Sequence, residues 1–444
     1  MINQNKKIDQ EFFKISRSQE KDYLEIFQKI NQYIEKNNLF QLKGFEDFFV
    51  LTPFFLSQKD FEKLEQDLAS FSRFLKHLAK KADLEELQNV LKFSEEEKDL
   101  YQFDQNLDLA DPIPLLRFDF AFEDDKINLM EINTNCPNGH GVLEDYGVLY
   151  QKFLNFSELE KNYNLSTPFP DLVIVKKILE KINQDDNVLL LTIKDQRDDF
   201  FITESKYFLE RYLKPKTPNC FLGSIKEVTF KEKQCYFKDR KIDFVYRLFD
   251  LDDLLADSKK DDFIKSYQSR SFAMINPFVS SLFGEKSLLA LIYNGYFDQH
   301  FTDKQEEKMI KSLIPPSFVY QGIGYDQIKK DLVKNKQDWI LKKSVSSRAE
   351  HIHFGEDYNP KEWQEILKKI DSTWLVQKKI QINKYKILLW KQGKLEESLK
   401  VGDFLPFLVD DKIVGLWSRF SDNLITNFAR GGAAANMIFV YKEK

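Results

Sequence analysis

The sequence predicts a mixed α/β protein with a helical N-terminal region and a small parallel-sheet unit, and three observations carry that reading. Through the first 105 or so residues apolar side chains recur at spacings of three and four, with few β-branched runs, which is the helical period. Residues 115–122 and 127–133 alternate instead, with polar residues between them, which reads as a β-hairpin. From about 171 to 262 helix-like and strand-like segments take turns, the pattern of a small parallel sheet with crossover helices.

At 444 residues the chain exceeds one ordinary core, and its length suggests two to three domains. Hydrophobic residues make up 42% and charged residues 31%, with 15 Gly and 13 Pro, so a globular chain without long low-complexity tracts is expected. The 41 Phe residues read as core filling rather than a stacking surface. Basic and acidic residues number 66 and 71 and are mixed along the chain, for a net charge of −5. This excludes a basic nucleic-acid footprint. The first residues, MINQNKKIDQEFFKI, hold no apolar core of signal-peptide length, and no run of about 18 apolar residues occurs, so a cytoplasmic protein with no membrane partner is expected. Cys136, Cys220 and Cys235 are too few and too scattered for a disulfide framework or a zinc site, and the five histidines show no metal spacing.

Four regions follow. Residues 1–110 are the helical N-terminal region, with helical spacing clearest over 23–34 and 61–91. Residues 111–170 hold the hairpin and the loop Asn135-Cys136-Pro137-Asn138-Gly139-His140-Gly141. On the first hairpin strand Leu116, Phe118 and Phe120 share one face and Arg117 and Asp119 the other; on the second, Glu131 and Asn133 share a face. With an odd loop of three or five residues centred on Asp125, Asp119 lies opposite Glu131 and Arg117 opposite Asn133. Directly opposed β-carbons are only about 4.5 to 5.5 Å apart, so two carboxylates there repel unless a cation lies between them. Their oxygens and an amide oxygen are the donors Mg²⁺ selects beside phosphate, and Arg117 would face the same phosphates. The alternative is a surface hairpin with a chance Arg/Asp/Glu face.

Residues 171–262 read as the small α/β domain, with helical 172–182 and 203–213 and strands at 188–193 and 242–248. It has no GxGxxG, so no dinucleotide site is assigned. Arg247 ends a strand where such sheets bind ligands, although a structural ion pair fits it equally. In residues 263–444, Asn276-Pro277 leads into a helix carrying Lys286, and short apolar strands end at Lys342-Lys343 and at Gln377-Lys378. Further strands cover 385–390 and 404–409, and Ser418-Arg419 precedes the loop Asn427-Phe428-Ala429-Arg430-Gly431-Gly432. A strand-end lysine before the small residues Ser344-Val345-Ser346-Ser347 suits a phosphate, because small side chains let backbone N–H groups approach an anion. A lone lysine at a strand end is otherwise a solvated one.

Taken jointly, these motifs over roughly residues 111–444 resemble the circularly permuted ATP-grasp ligases, specifically the synthetase part of glutathionylspermidine synthetase. The most specific part is Arg117-Phe118-Asp119 with Glu131-Ile132-Asn133, matching the family's Arg-x-Asp and Glu-x-Asn at the same separation. The resemblance implies Asp119, Glu131 and Asn133 as Mg²⁺ ligands and Arg117 as a group on the reacting phosphoryl. It implies Lys286 and Lys342 as ATP lysines, Gln377 and Lys378 as the hinge whose backbone meets adenine, and Arg419 as a phosphate-contacting arginine. The carboxylates precede the lysine strands, the order of a permuted chain, and the 171–262 domain corresponds to the family's pre-ATP-grasp unit.

The resemblance thus implies an ATP- and Mg²⁺-dependent, ADP-producing carboxylate–amine ligase working through an acyl phosphate on two small molecules. A small-molecule kinase on the same fold and a non-catalytic ATP-binding regulator are the rivals. Two departures matter: Lys342 is followed by Lys343-Ser344-Val345-Ser346-Ser347-Arg348 instead of a glycine-rich loop, and Thr134-Asn135-Cys136-Pro137 replaces the family's Ala-Asp-Thr-Pro type of sequence. The second speaks against glutathione as substrate. The first 105 residues offer no Cys/His pair, so the amidase half of some members is not expected in them.

Overall fold

The computed structural model describes residues 7–36, 49–50, 52–154, 156–193, 200–344, 351–391, 394–426 and 434–444. Helices α1 (Lys7–Ser18) and α2 (Glu20–Lys36) come first; two short strands, β1 (Phe49–Val50) and β2 (Phe54–Ser57), then precede α3 (Gln58–Lys81), α4 (Leu84–Leu91) and α5 (Glu95–Asn106). Local chemistry sets these starts. The Ser57 hydroxyl accepts from Asp60 N, the Asp83 carboxylate accepts from Glu85 N and Glu86 N, and Ser94 with Glu97 forms a capping box. The region is helical as its periodicity predicts, except that both strands join the main sheet.

The hairpin β3 (Leu115–Glu123) and β4 (Lys126–Asn133) leads to α6 (His140–Phe153) and β5 (Tyr163–Ser166). Then come β6 (Val188–Thr192) and β7 (Cys220–Ser224), a small antiparallel sheet of β8 (Val228–Lys231), β9 (Gln234–Phe237) and β10 (Arg240–Lys241), and the strands β11 (Phe244–Arg247) and β12 (Ala273–Ile275). The expected parallel sheet forms in the order β12-β11-β6-β7. Its fourth strand lies beyond residue 262, so a boundary there cuts through the unit.

Strands β13 (Ser317–Val319), β14 (Trp339–Lys343), β15 (Ile352–Phe354) and β16 (Trp374–Lys378) form an antiparallel sheet ordered β13-β16-β14-β15. The chain closes with β17 (Lys384–Lys391), β18 (Lys394–Val409), β19 (Lys412–Ser421) and β20 (Ala434–Glu443). Among the described residues nine strands make the main sheet, along the path β1-β17-β18-β19-β20-β2, with β3 on β18, β4 on β3 and β5 on β20. The long β18 organises this sheet. Its first half pairs with β17, while its second half is held between β19 and β3.

Phenylalanine fills the core as expected: Phe54 and Phe120 both pack on Phe404, at 4.9 and 5.8 Å between centroids. Each such side chain, fully enclosed, contributes about 1.5 to 3 kcal/mol. A separate cluster around Trp363, Leu341 and Val376 holds the antiparallel sheet. Among the described residues no helix is long and apolar enough to cross a membrane.

Candidate active site

The hairpin pairs Arg117 with Asn133 and Asp119 with Glu131, the register that brings the four polar groups together. It reaches that register by a different route from an odd loop. Glu123 pairs with Lys126 across the two-residue turn Asp124-Asp125, and a bulge after Asp119 then inserts Met130 as the extra residue. The turn puts Asp124 at φ 52° and is clamped by Asn383, which accepts from Asp124 N and donates to Asp124 O.

Asp119, 4% exposed, is saturated with donors. Arg117 grips it with Nε on Oδ1 at 2.7 Å and Nη2 on Oδ2 at 3.0 Å; Asn133 Nδ2 donates to Oδ1 at 2.9 Å, and Arg419 Nη2 to Oδ2 at 3.3 Å. These four contacts match the roughly four lone-pair sites of a carboxylate. Burial pushes the Asp119 carboxyl above the ordinary range, with Arg117 and then Arg419 pulling against it.

Arg419 comes from β19, where it pairs across the ladder with Asp403 of β18. Its Nε lies 3.1 Å from both Asp403 oxygens and its Nη2 bonds Asp403 Oδ2 as well as Asp119. Burial would weaken this cation's hold on its proton, but Asp403 and then Asp119 more than offset that.

The lysines approach from the other side. Lys286 Nζ lies 3.0 Å from Glu131 Oε1, and its segment is tied to the end of β14 by Lys286 N to Ser344 O and Ser287 N to Ser344 Oγ. Lys342, on β14, donates to Gln377 Oε1 at 2.7 Å and, more weakly, to the carbonyl of the bulge residue Met130 at 3.4 Å. Burial pushes Lys342 down to about 8, with Glu131 opposing and Lys286 adding to the shift. For Glu131, whose side chain keeps 32% exposure, the upward pull of enclosure is outweighed by Lys286, Lys342 and Arg117, and its carboxyl is held below the usual range.

Seven of the nine sequence-derived residues therefore converge directly, and Gln377 joins them through its oxygen on Lys342. Ser317 Oγ accepts from Gln377 Nε2 at 3.0 Å and fixes the amide so that its oxygen faces the lysine. Lys378 is different. Its ammonium lies 3.0 Å from Asp338 and over the Trp339 ring, and its backbone N–H donates to Pro316 O at 2.8 Å, so that N–H does not meet a base in this arrangement.

The donor types fit Mg²⁺, which takes one or two carboxylates together with substrate phosphates. Glu131 and the Asn133 oxygen, turned away from Asp119 by the N–H that bonds it, are on hand. Asp119 can join them only by giving up one of its N–H donors. Among the described residues no group of three or more His, Cys, Asp or Glu forms a ready cage.

Reading the sequence missed Asp403 and Thr426, whose hydroxyl donates to Asp403 Oδ2 at 2.6 Å. A lone Asp in the apolar run Val401-Gly402-Asp403-Phe404-Leu405 was the available signal, since a charge buried there requires a partner. Arg247 is wholly buried, and its partners among the described residues are carbonyl, amide and hydroxyl oxygens, including Asn276 O, Asn135 Oδ1 and Ser280 Oγ, rather than a carboxylate. It anchors the start of the loop after β4. Farther along, Glu204 accepts from Gly139 N and Gly141 N, and Gly139 sits at φ 103°, where a Cβ would come within 2.6 Å of Trp417. In that loop Cys136 faces Asp250 and His140 faces Asp171, and burial with Asp250 holds the Cys136 thiol well up. They do not form a thiolate–imidazole pair. The loops at 345–350 and 427–433 lie outside the described residues.

Comparison with known proteins gives one family match: the family described as glutathionylspermidine synthase preATP-grasp covers residues 50–430. It starts well before residue 111, so much of the helical N-terminal region belongs to the matched unit. No curated protein sequence matches the chain. Among solved structures, a glutathione synthetase-like effector from Globodera pallida in apo form aligns at 13% identity and TM-score 0.59, over 95% of this chain and 97% of that one, and so shares its fold. A putative gamma-glutamylcysteine synthetase from Methylobacillus flagellatus aligns at 13% identity and TM-score 0.44, over 82% and 86%. D-alanyl-alanine synthetase A from Vibrio cholerae aligns at 12% identity and TM-score 0.29, over 50% and 68%.

Proposed function

Because the chain belongs to the glutathionylspermidine synthase preATP-grasp family, we propose that it is an ATP-dependent ligase that joins a small-molecule carboxylate to an amine. ATP phosphorylates the carboxylate, the amine attacks the acyl phosphate, and an amide, ADP and phosphate result. The observation that carries this reading is the convergence of Arg117, Arg419, Lys286 and Lys342 on a cluster whose carboxylates, among the described residues, are Asp119, Glu131 and Asp403. Four cations against three anions, enclosed, leave a surplus positive charge, which suits a polyphosphate.

In this reading Lys286 and Lys342 hold the phosphates, with Gln377 orienting Lys342 and the Gln377-Lys378 strand forming the hinge beside the base. Arg117 and Arg419 offset negative charge as it redistributes during transfer, where preorganised donors act most strongly. Asp119, Glu131 and Asn133 would hold Mg²⁺, which when bound would offset phosphate charge. The Arg117–Asp119 clasp must open for Asp119 to take part.

The test is an ADP-release screen over amino acids, peptides and polyamines, with mass spectrometry of the product. An amide supports the ligase. A stable phosphorylated product makes the protein a kinase, and nucleotide binding without turnover makes it a regulator.

A further inference from the structure

Asp403 meets the cluster through its contact with Arg419. It is fully buried at the centre of the main sheet, on the stretch of β18 held between β19 and β3, where it pairs with Arg419 on one side and Ala121 on the other. A carboxylate there is costly unless every oxygen is satisfied. Arg419 Nε and Nη2 and the Thr426 hydroxyl satisfy it, and Arg419 Nη2 continues to Asp119. The result is a row of alternating charges, Asp403, Arg419, Asp119 and Arg117. Arg419 is itself 8% exposed, and its Nη1 has no acceptor among the described residues.

We propose that Asp403, with Thr426, is a positioning residue that holds Arg419 on a rigid strand with its Nη1 turned to the reacting anion. A guanidinium gripped through Nε and Nη2 cannot rotate about its last bonds, so the remaining amino group has one direction. A cation that acts on charge developing in transfer must be fixed before the reaction, because reorganising it during the step forfeits its benefit. Asp403 touches no substrate. It acts through Arg419, and this inference rests on the ligase reading above.

Removing the Asp403 charge has two opposed effects, and they make the role testable. It loosens Arg419, which slows transfer, and it raises the positive surplus of the cluster from one to two, which favours binding of a polyphosphate. Asp403→Asn should therefore cut kcat at least roughly tenfold while KM for ATP stays level or falls. Thr426→Val, which removes a single hydrogen bond, should cut kcat a few-fold with KM unchanged. Asp403→Asn combined with Arg419→Gln should be no slower than Arg419→Gln alone, because Asp403 works only through that arginine. A merely structural role would reduce the folded fraction and leave the kcat and the Arg419 Nε exchange of the folded molecules in place.

The experiment is this set of variants in steady-state ADP release, with exchange of the Arg419 Nε proton followed by NMR in the free protein. Exchange should speed at least tenfold in Asp403→Asn and rise measurably in Thr426→Val. If kcat stays within twofold in both folded variants, or if Nε exchange is unchanged, the positioning role is overturned. If the wild type releases no ADP with any substrate pair yet shows the exchange pattern, the anchor stands and the ligase reading falls.

Discussion

Arg117→Ala separates charge neutralisation from scaffolding. Arg117 supplies two of the four N–H donors on Asp119, and those from Asn133 and Arg419 survive its loss. Breaking a buried ion pair by deleting one partner costs about 3 to 5 kcal/mol. With half of the donors remaining, the expected loss of stability is about 2 kcal/mol. On the rate, removing one preorganised donor at a developing charge costs about 10² to 10³ in kcat, with ATP affinity changed only modestly because the two lysines remain. Steady-state ADP release beside denaturant unfolding measures both.

A pH signature accompanies the stability loss. The Asp119 carboxyl already lies above the ordinary range through burial, and Arg117 is the strongest influence opposing this. Without Arg117 it rises further. A carboxyl whose folded pKa exceeds its unfolded value, about 3.9, favours folding when protonated, and that advantage is lost as pH climbs from the unfolded value to the folded one. The gap between wild type and Arg117→Ala should therefore widen with pH. Adding Asp119→Asn should close the gap, because the uncompensated charge is gone, while leaving kcat low. A kcat within a few-fold of wild type alongside the stability loss would refute the catalytic assignment and leave Arg117 a scaffold residue, with its role falling to Arg419.

Three further outcomes are expected. Glu131→Gln should raise the Mg²⁺ concentration needed for half-maximal ADP release by tenfold or more, and an unchanged Mg²⁺ titration would remove Glu131 from the ligand set. Lys342→Ala should weaken ATP binding in calorimetry more than it weakens carboxylate binding; equal ATP affinity would rule the lysine out as a phosphate group. Glu285, which is pushed up to about 8 by burial and by Glu97 and accepts from Ser344 Oγ, should oppose folding progressively as pH rises from about 4.3 to 8, by at most on the order of 5 kcal/mol. Glu285→Gln should flatten that stretch of the stability–pH curve, and parallel curves would show the carboxyl to be of little consequence.

The hairpin was legible because alternation assigns faces, and once Asp119 faces Glu131 the cluster follows. The bulge that achieves this was not, since Met130 is one more apolar residue in an apolar run and nothing in its type marks an unpaired position. The lysine strands β14 and β16 were legible as short apolar runs. The first half of β18 was not, because Lys394-Leu395-Glu396-Glu397 is as charged as a loop, and its pairing with β17 comes from the ladder rather than from burial. Strand β12 was hidden inside Ala273-Met274-Ile275, too short for any period to register. Arg419 was legible only through its resemblance to a motif; that its charge is committed to Asp403 depends on a cross-strand pairing sixteen residues apart in sequence, which pattern alone does not fix.

Phe54 lies beside Ile438 in a parallel pairing of β2 with β20, so β2 finds this neighbour only after the whole stretch between them has been made. Parallel pairing cannot be closed by a tight turn, and a contact between such distant residues forms late. Throughout synthesis of the intervening chain, the segment Phe54-Phe55-Leu56 presents an apolar strand with an unfilled edge, the kind of surface that captures another copy of itself. Yield of this protein in a cell should accordingly respond to translation speed and to chaperones that shield nascent strands, because that edge is covered only once β20 has been made.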